Sequence, residues 1–565
     1  MEIDIGFSDK IKFGFRYANY KMNQSKLTVK DKTVIETTHG PVQGLKRISP
    51  YGEQYHSFEG IPFAKPPIGR LRFKGPEEPE PWKEVLDCSE VKTKPVQHNL
   101  VLRIYEGTED CLHLNVYSRN LKPDKPLPVL VWIYGGGFQV GEASRDLYAP
   151  DYLMKKEVVL IAINYRLGSL GFLSFDDPDT KVSGNAALKD QVLALKWVKK
   201  NCAFFGGNPN NITVFGESAG AASTHYMMLT EQTRGLFHKG IVMSGSAIAQ
   251  WAVTPRRNWG FRMAELLGYN GANNDLDVLN FLQGQKPYDV MKAGEKLLTV
   301  EERKSRIPFA FGPVIEPFIM EDSVVTKAPI EMMKEAWSNE IPLMIGGVSF
   351  EGLLLSVEIK KYPFLLTDLD FRDLVPTDLK LNKESEKCKE MANKIQKFYF
   401  GDQRPSKENK NKYLELFSDK YWWHPIHRTI MSRLTHASAP TYVYRFDFDS
   451  KTFNIFRRLT CGRKARGVCH ADDIAYLFYN AIAKKLKETK REYKTIENMV
   501  TIWTNFASQG DPNSADAQFN WSPSVLANKT ENKCLNINDE LDFIDIPELD
   551  RIKLWDSFYE PEQLW

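Results

Sequence analysis

The clearest pattern along the chain is an alternation of short, wholly apolar runs with longer segments of helical period. PVLVWIY (128–134), VVLIAINY (158–165), NITVFG (211–216) and KGIVMSG (239–245) are rich in β-branched and aromatic residues along their whole length. Strands read this way when both faces of a parallel sheet are covered. AALKDQVLALKWVKKNCAFF (186–205) carries apolar residues at helical spacing between the second and third runs, as a connecting helix would. From about residue 255 to 340 and again from 355 to 435 the chain is more charged and helical, and YVYRFDFDS (442–450) reads as a late strand. The expected architecture is α/β: one mostly parallel sheet with helices on both faces, and helical excursions that roof it and shape a pocket. With no internal repeat, low-complexity block or Pro/Gly/Ser-rich linker, residues 33–565 form one large domain.

Residues 1–32 stand apart as a basic amphipathic segment. In FSDKIKFGFRYANYKM (7–22), Phe7, Ile11, Phe15, Ala18 and Met22 share one helical face, and Lys10, Lys12, Arg16 and Lys21 occupy others. Such a helix can lie on a membrane or lipid-droplet surface. A helix docked on the body, or a strand alternating through Ile11, Phe13, Phe15 and Tyr17, are the competing readings. The first thirty residues lack the apolar core of a signal peptide, so an intracellular location is expected. The longest apolar stretch, 126–138, is too short to span a bilayer and ends in glycines.

Composition narrows the function classes. With 75 basic against 72 acidic residues and 42% hydrophobic content, the chain has the profile of a globular protein, without the basic excess of a nucleic-acid binder. Its seven cysteines form no Cys-x-x-Cys pair, and no His-Glu-x-x-His stretch occurs, so neither metal nor cofactor is expected.

The sharpest chemical signal is Gly216-Glu217-Ser218-Ala219-Gly220, set between the strand NITVFG and the apolar segment AASTHYMMLT. Gly-x-Ser-x-Gly in a strand–turn–helix context is a nucleophile elbow: the turn is so tight that only small residues fit beside the serine. The oxyanion formed on attack needs donors, each contributing about 3–4 kcal/mol. Gly135-Gly136-Gly137 follows a strand and offers amides unshielded by Cβ, which with the Ala219 amide could converge on one oxygen. A tight turn or a phosphate loop are the other readings of the triplet, but no Gly-Lys-Ser/Thr follows.

In this architecture the chain order is serine, acid, histidine. Among the histidines after Ser218, His470 lies in GVCHADD, a loop after a late strand; His436, before another strand, competes with it, and His225, His238, His424 and His427 read as structural. The acid is harder to choose among so many carboxylates. Glu351 is a candidate because it follows the strand IPLMIGGVS and opens into apolar surroundings.

Taken together, FEGIPFAKPPIGRLRF (58–73), EDCLHLNVY (109–117), VWIYGGGF (131–138), NYRLGSLGFL (164–173), GNAALKDQVLALKWVKKNCAFFGGNPNNITVFGESAG (184–220) and GVCHADDIAYLF (467–478) resemble the type-B carboxylesterases of the cholinesterase family, insect alpha-esterases above all. The resemblance runs from about Thr33 to Leu564. It implies an α/β-hydrolase fold and a triad of Ser218, Glu351 and His470, with Gly136, Gly137 and Ala219 as oxyanion donors. It further implies a Cys88–Cys111 disulfide, Trp251 and Phe309 in the acyl pocket with Tyr148 and Tyr421 lining the rest, small-molecule ester substrates, and phosphorylation of Ser218 by organophosphate inhibitors. A reducing compartment would oppose the disulfide.

The subtypes differ at single residues. The loop after Cys88 lacks the tryptophan with which cholinesterases hold a quaternary ammonium by cation–π attraction. Juvenile-hormone esterases usually carry glutamine where this chain has Glu217. General carboxylester hydrolysis of xenobiotic or lipid-derived esters is the reading favoured, with a juvenile-hormone-type esterase as the alternative and a non-catalytic cholinesterase-like binding protein as a distant third. One departure is Tyr134, where many insect alpha-esterases have histidine.

Overall fold

The computed structural model describes residues 7–91, 93–100, 102–482, 485–513, 520–526 and 532–565. Among them a thirteen-stranded sheet organises the chain. Its centre is seven strands, in spatial order Val159–Ile163, Leu127–Ile133, Gly207–Glu217, Lys239–Met243, Leu343–Val348, Thr441–Phe446 and Lys533–Ile537, all parallel to their neighbours. Every residue of Val159–Ile163, Lys239–Met243, Leu343–Val348 and Thr441–Phe446 is buried. That burial explains why these runs are apolar throughout and do not alternate. Antiparallel strands close both edges: His113–Ser118, Gln54–Pro62, Pro41–Ile48 and Thr28–Glu36 on one side, Leu541–Asp545 on the other. This is the α/β-hydrolase fold.

The helix Ala186–Asn201 occupies the segment its period assigned to it and is buried along most of its length. It is pinned to the loop after Val159–Ile163 by Arg166, whose guanidinium bonds both oxygens of Asp190 at 2.6 and 2.8 Å. Both side chains are inaccessible to water, where removing one partner would strand a buried charge. The charged regions between strands form the expected helical excursions, including Trp259–Leu266, Asp275–Gln283, Pro287–Glu295, Glu386–Phe400 and His424–His436.

The N-terminal segment is a helix, Phe7–Lys26, and not a strand. The face that docks differs from the expected apolar face. Phe13 and Tyr20 are buried, Tyr20 donates to the Arg145 carbonyl at 3.0 Å, and Arg16 donates to the Ile482 carbonyl at 3.2 Å. Phe15 and Met22 are 70% and 61% exposed, and Ala18 is exposed with them. The side chains of Phe7 and Ile11 lie outside the described residues. Polar hydroxyl and guanidinium ends let Tyr20 and Arg16 bond the body, so docking uses the mixed face and leaves Phe15, Ala18 and Met22 outward. Among the described residues no helix is long and apolar enough to cross a membrane.

Candidate active site

The functional residues gather at the carboxyl ends of the parallel strands, where open α/β sheets present their ligand sites. Gly207–Glu217 occupies the middle of the sheet, and the chain turns from it directly into the helix Ala219–Leu229. Ser218 sits at the turn with φ 58° and ψ −122°, a strained conformation that the Ser218 N–H to Met243 carbonyl bond of 2.9 Å holds in place. The flanking glycines are required by contact. A Cβ on Gly220 would lie 2.0 Å from the Ile133 carbonyl oxygen, and one on Gly216 would lie 2.4 Å from the Gly220 carbonyl oxygen.

Ser218 Oγ lies 2.7 Å from His470 Nε2, and His470 Nδ1 lies 2.6 Å from Glu351 Oε2. The second Glu351 oxygen accepts the Val348 N–H at 2.8 Å, so the carboxylate is held at both ends. This network fixes the tautomer: Nδ1–H donates to Glu351, leaving Nε2 to accept the serine proton. Glu351 and His470 are buried, while Ser218 is half-buried. The other candidate histidines are engaged elsewhere. His225 contacts Ser246, His238 accepts the Ile212 N–H, and His424 and His427 both pair with Asp556. His436 closes the helix His424–His436, away from this network.

The His470 loop has its own supports. Asp472 accepts the Cys469 N–H at 2.9 Å and the Arg457 N–H at 3.0 Å, and Arg457 donates to the Gly467 carbonyl at 2.6 Å.

A second carboxyl group meets the imidazole: Glu217 Oε1 lies 3.1 Å from His470 Nε2. Burial pushes Glu217 up to about 8, with His470 opposing the rise and Asp473 and Glu351 adding to it. Burial alone would lower His470; the carboxylates of Glu217 and Glu351, the Glu351 hydrogen bond and Asp473 outweigh it and raise it to about 9. Asp473, buried beside them, is pushed up to about 7 by burial and by Glu351, against His470. The site thus surrounds one imidazole with buried acids, which favours the imidazolium that forms during proton transfer. Glu217 and Asp473 were invisible as site residues in the sequence: one stood only as the variable position of the elbow, the other as one acid of the pair after His470.

Gly135-Gly136-Gly137 follows Leu127–Ile133 and passes beside the elbow. A Cβ on Gly135 would lie 2.8 Å from a Glu217 carboxylate oxygen and 2.9 Å from Ser218 Cβ. Gly136 and Gly137 adopt φ of 114° and 61°, and their carbonyls accept from Gln139, leaving their N–H groups without an acceptor among the described residues. Ala219 is the first residue of its helix, so its N–H has no intrahelical partner either. These are the amide groups an oxyanion requires.

The four expected pocket aromatics differ in what they touch. Phe309 is half-buried, its ring tip 2.8 Å from where a Gly137 Cβ would stand. Trp251 packs on Phe138 and Trp422, with ring centroids 6.4 and 6.5 Å away, and donates its indole N–H to the Tyr421 carbonyl at 2.8 Å. Tyr421 stands edge-on to Trp422 at 5.9 Å. Tyr148 packs on Trp132 at 5.2 Å and Phe478 at 5.5 Å, and burial, followed by the nearby Glu217 carboxylate, raises its phenol. Trp422, which sequence reasoning missed, lies 5.0 Å from the His470 ring. A π-helical turn, Asp419–Trp423, places it there; the only signal was the Tyr-Trp-Trp run. Tyr134 points into the core, stacked 4.5 Å from Tyr165, with each hydroxyl donating to the other's carbonyl.

Cys88 and Cys111, the pair the resemblance implies as a disulfide, are both buried. Burial, with Asp190 nearby, pushes the Cys111 thiol well up. Among the described residues no cluster of His, Cys, Asp or Glu could hold a metal ion.

Comparison with known proteins bears on this geometry. The sequence profile of the carboxylesterase family matches residues 31–555. Esterase B1 of Culex pipiens is 41% identical over 541 residues, covering 95% of this chain and 99% of the relative. A juvenile hormone esterase of Tribolium castaneum is 32% identical over 510 residues, covering 86% of this chain and 85% of its own. The solved structure of juvenile hormone esterase from Manduca sexta, with OTFP covalently attached, superimposes with a TM-score of 0.83 at 28% identity, covering 94% of this chain and 100% of that one. A nucleophile elbow with its histidine and acid in contact, in a chain matched over nearly its full length, leads to one conclusion: the protein belongs to the carboxylesterase family and is a carboxylic ester hydrolase.

Proposed function

We propose that the enzyme hydrolyses uncharged carboxylic esters, xenobiotic or lipid-derived, through an acyl-enzyme on Ser218. The observation that carries this reading is the unbroken contact from Ser218 Oγ through His470 to Glu351, at 2.7 and 2.6 Å. His470 Nε2 takes the serine proton as Oγ attacks the ester carbonyl, and the oxyanion is held by the N–H groups of Gly136, Gly137 and Ala219. The imidazolium, stabilised by Glu351 at Nδ1, returns the proton to the departing alcohol. Water then attacks the acyl-enzyme with the same base. Uncharged substrates suit a site with Phe309 beside Gly137 and Trp422 beside the His470 ring.

Organophosphates are expected to phosphorylate Ser218, since their tetrahedral centre fits the same donors and leaves slowly. A juvenile-hormone-type preference is the second reading, supported by the relatives from Tribolium and Manduca; Glu217 in place of the usual glutamine weighs against it. A burst of p-nitrophenol from a short-chain nitrophenyl ester, lost in Ser218→Ala with unchanged circular dichroism, tests the mechanism. No burst in the wild-type chain refutes it.

For the N-terminal helix we propose contact with an intracellular lipid surface through Phe15, Ala18 and Met22, which face outward beside exposed Lys12, Lys21 and Lys26. Flotation with anionic liposomes should carry the full chain and not a chain starting at Thr33. Equal flotation refutes the contact.

A further inference from the structure

Behind the catalytic histidine lies a pair of thiols that the hydrolytic mechanism does not use. Cys461 ends the helix Ile455–Cys461, and Cys469 immediately precedes His470. The Thr460 hydroxyl joins them, 3.4 Å from the Cys461 sulfur and 3.7 Å from the Cys469 sulfur. Cys461 Sγ also lies 3.1 Å from the carbonyl oxygen of Leu353, two residues beyond Glu351. The pair therefore bridges the loop that carries the base and the turn that carries the acid.

The two thiols are not equivalent. Cys461 is half-buried, whereas Cys469 has no exposure at all. The neighbouring Cys469 thiol, with Thr460, Ser356 and the Arg457 charge, outweighs burial and brings the Cys461 thiol down, while burial pushes Cys469 up. A partly exposed thiol beside a buried partner, both at one hydroxyl, is the arrangement in which one sulfur attacks a peroxide and the other resolves the product.

We propose that Cys461 and Cys469 form an oxidation site at which a hydroperoxide closes a disulfide, and that closure displaces His470 and suppresses ester turnover. In the first step the Cys461 sulfur attacks the peroxide: an S–O bond forms, the O–O bond breaks, and water (or the alcohol of an organic peroxide) leaves with the thiol proton. In the second, Cys469 attacks the sulfenic sulfur: the S–S bond forms, the S–O bond breaks, and a second water leaves. Two thiols lose two electrons in all and one peroxide gains them.

Closure has a mechanical consequence. A disulfide brings the sulfurs to about 2.05 Å, closer than the 3.4 and 3.7 Å at which they meet the Thr460 hydroxyl between them. Cys469 is fully buried and its N–H is held by Asp472, so it cannot approach Cys461 without dragging the adjoining His470. Displacing a catalytic group by about 1 Å can cost roughly 100-fold in rate. The effect on turnover rests on the reading of His470 as the base; formation of the disulfide does not.

The test treats the full-length enzyme with hydrogen peroxide and reads two signals. Peptide mass mapping should reveal a species containing residues 461 and 469 that is two hydrogens lighter than the reduced pair. Turnover of a nitrophenyl ester should fall at least tenfold and recover with dithiothreitol. Cys461→Ser should keep its turnover through the same treatment. Absence of the 461–469 linkage, or equal inactivation of Cys461→Ser, overturns the proposal. Linkage without loss of turnover overturns the displacement of His470. A reduced enzyme with no turnover would count against the hydrolytic mechanism instead, and the mapping would still decide the disulfide.

Discussion

Replacing Glu217 by glutamine removes one of the two acids that touch His470 while keeping nearly the same shape. Glu217 Oε1 lies 3.1 Å from Nε2, the nitrogen that must be unprotonated to accept the serine proton. Across about 3 Å with an effective dielectric near 20, a full carboxylate would stabilise the imidazolium by roughly 5 kcal/mol at most. Burial raises Glu217 to about 8, so near neutrality it is ionised only in part and the attraction is correspondingly smaller. Loss of the anion disfavours the protonated imidazole, so the His470 pKa falls and the neutral base persists to lower pH. The expected result is a shift of the acidic limb of kcat/KM by about 1–2 pH units downward, equivalent to roughly 1.4–2.7 kcal/mol. The assay is a pH–rate profile with an uncharged nitrophenyl ester, which has no titration of its own to confuse the limb. A limb that stays in place, or moves upward, would refute the claim that Glu217 acts on His470 through its charge.

Other substitutions probe the remaining parts. Glu351→Gln keeps the bulk but cannot stabilise the imidazolium or fix its tautomer; kcat should fall by about 10³–10⁴-fold with little change in KM, read from steady-state kinetics. Phe309→Ala should open space over Gly137, so that esters with bulky acyl groups gain about tenfold in kcat/KM relative to acetates in a substrate panel. Gly220→Ala drives a Cβ to 2.0 Å from the Ile133 carbonyl oxygen and should destabilise the fold by about 3 kcal/mol, seen as a lower melting temperature by calorimetry.

The parallel centre of the sheet was legible because strands such as Val159–Ile163 are buried on both faces and carry no polar residue. The antiparallel edge was not. Thr28–Glu36, TVKDKTVIE, is a charged strand at the margin of the sheet, where solvent exposure removes the apolar signature. The serine and the glycines could be read locally, since steric demands within a few residues dictate them. Glu351 could be read only as a candidate at a strand end, because its identity as the acid depends on a contact with His470 across 119 positions; the resemblance was needed to choose it among many carboxylates. Trp422 and Asp473 escaped for the same reason: nothing in a local pattern says that a tryptophan in a helical run faces a histidine from a distant loop. The N-terminal helix shows the opposite failure. Its period as a helix was legible, yet the body is gripped by Phe13, Arg16 and Tyr20, because two buried rings and specific hydrogen bonds dock that side while Phe15, Ala18 and Met22 face outward.

The central claim is that one serine, activated by His470, carries the chemistry. It is tested most directly by incubating the enzyme with a dialkyl phosphate inhibitor and mapping the adduct by mass spectrometry. The account predicts one phosphoryl group per chain, on Ser218, with activity lost in proportion to labelling, and no adduct in His470→Ala on the same timescale. Stoichiometric labelling of any other residue, or full activity in a chain phosphorylated at Ser218, would contradict it.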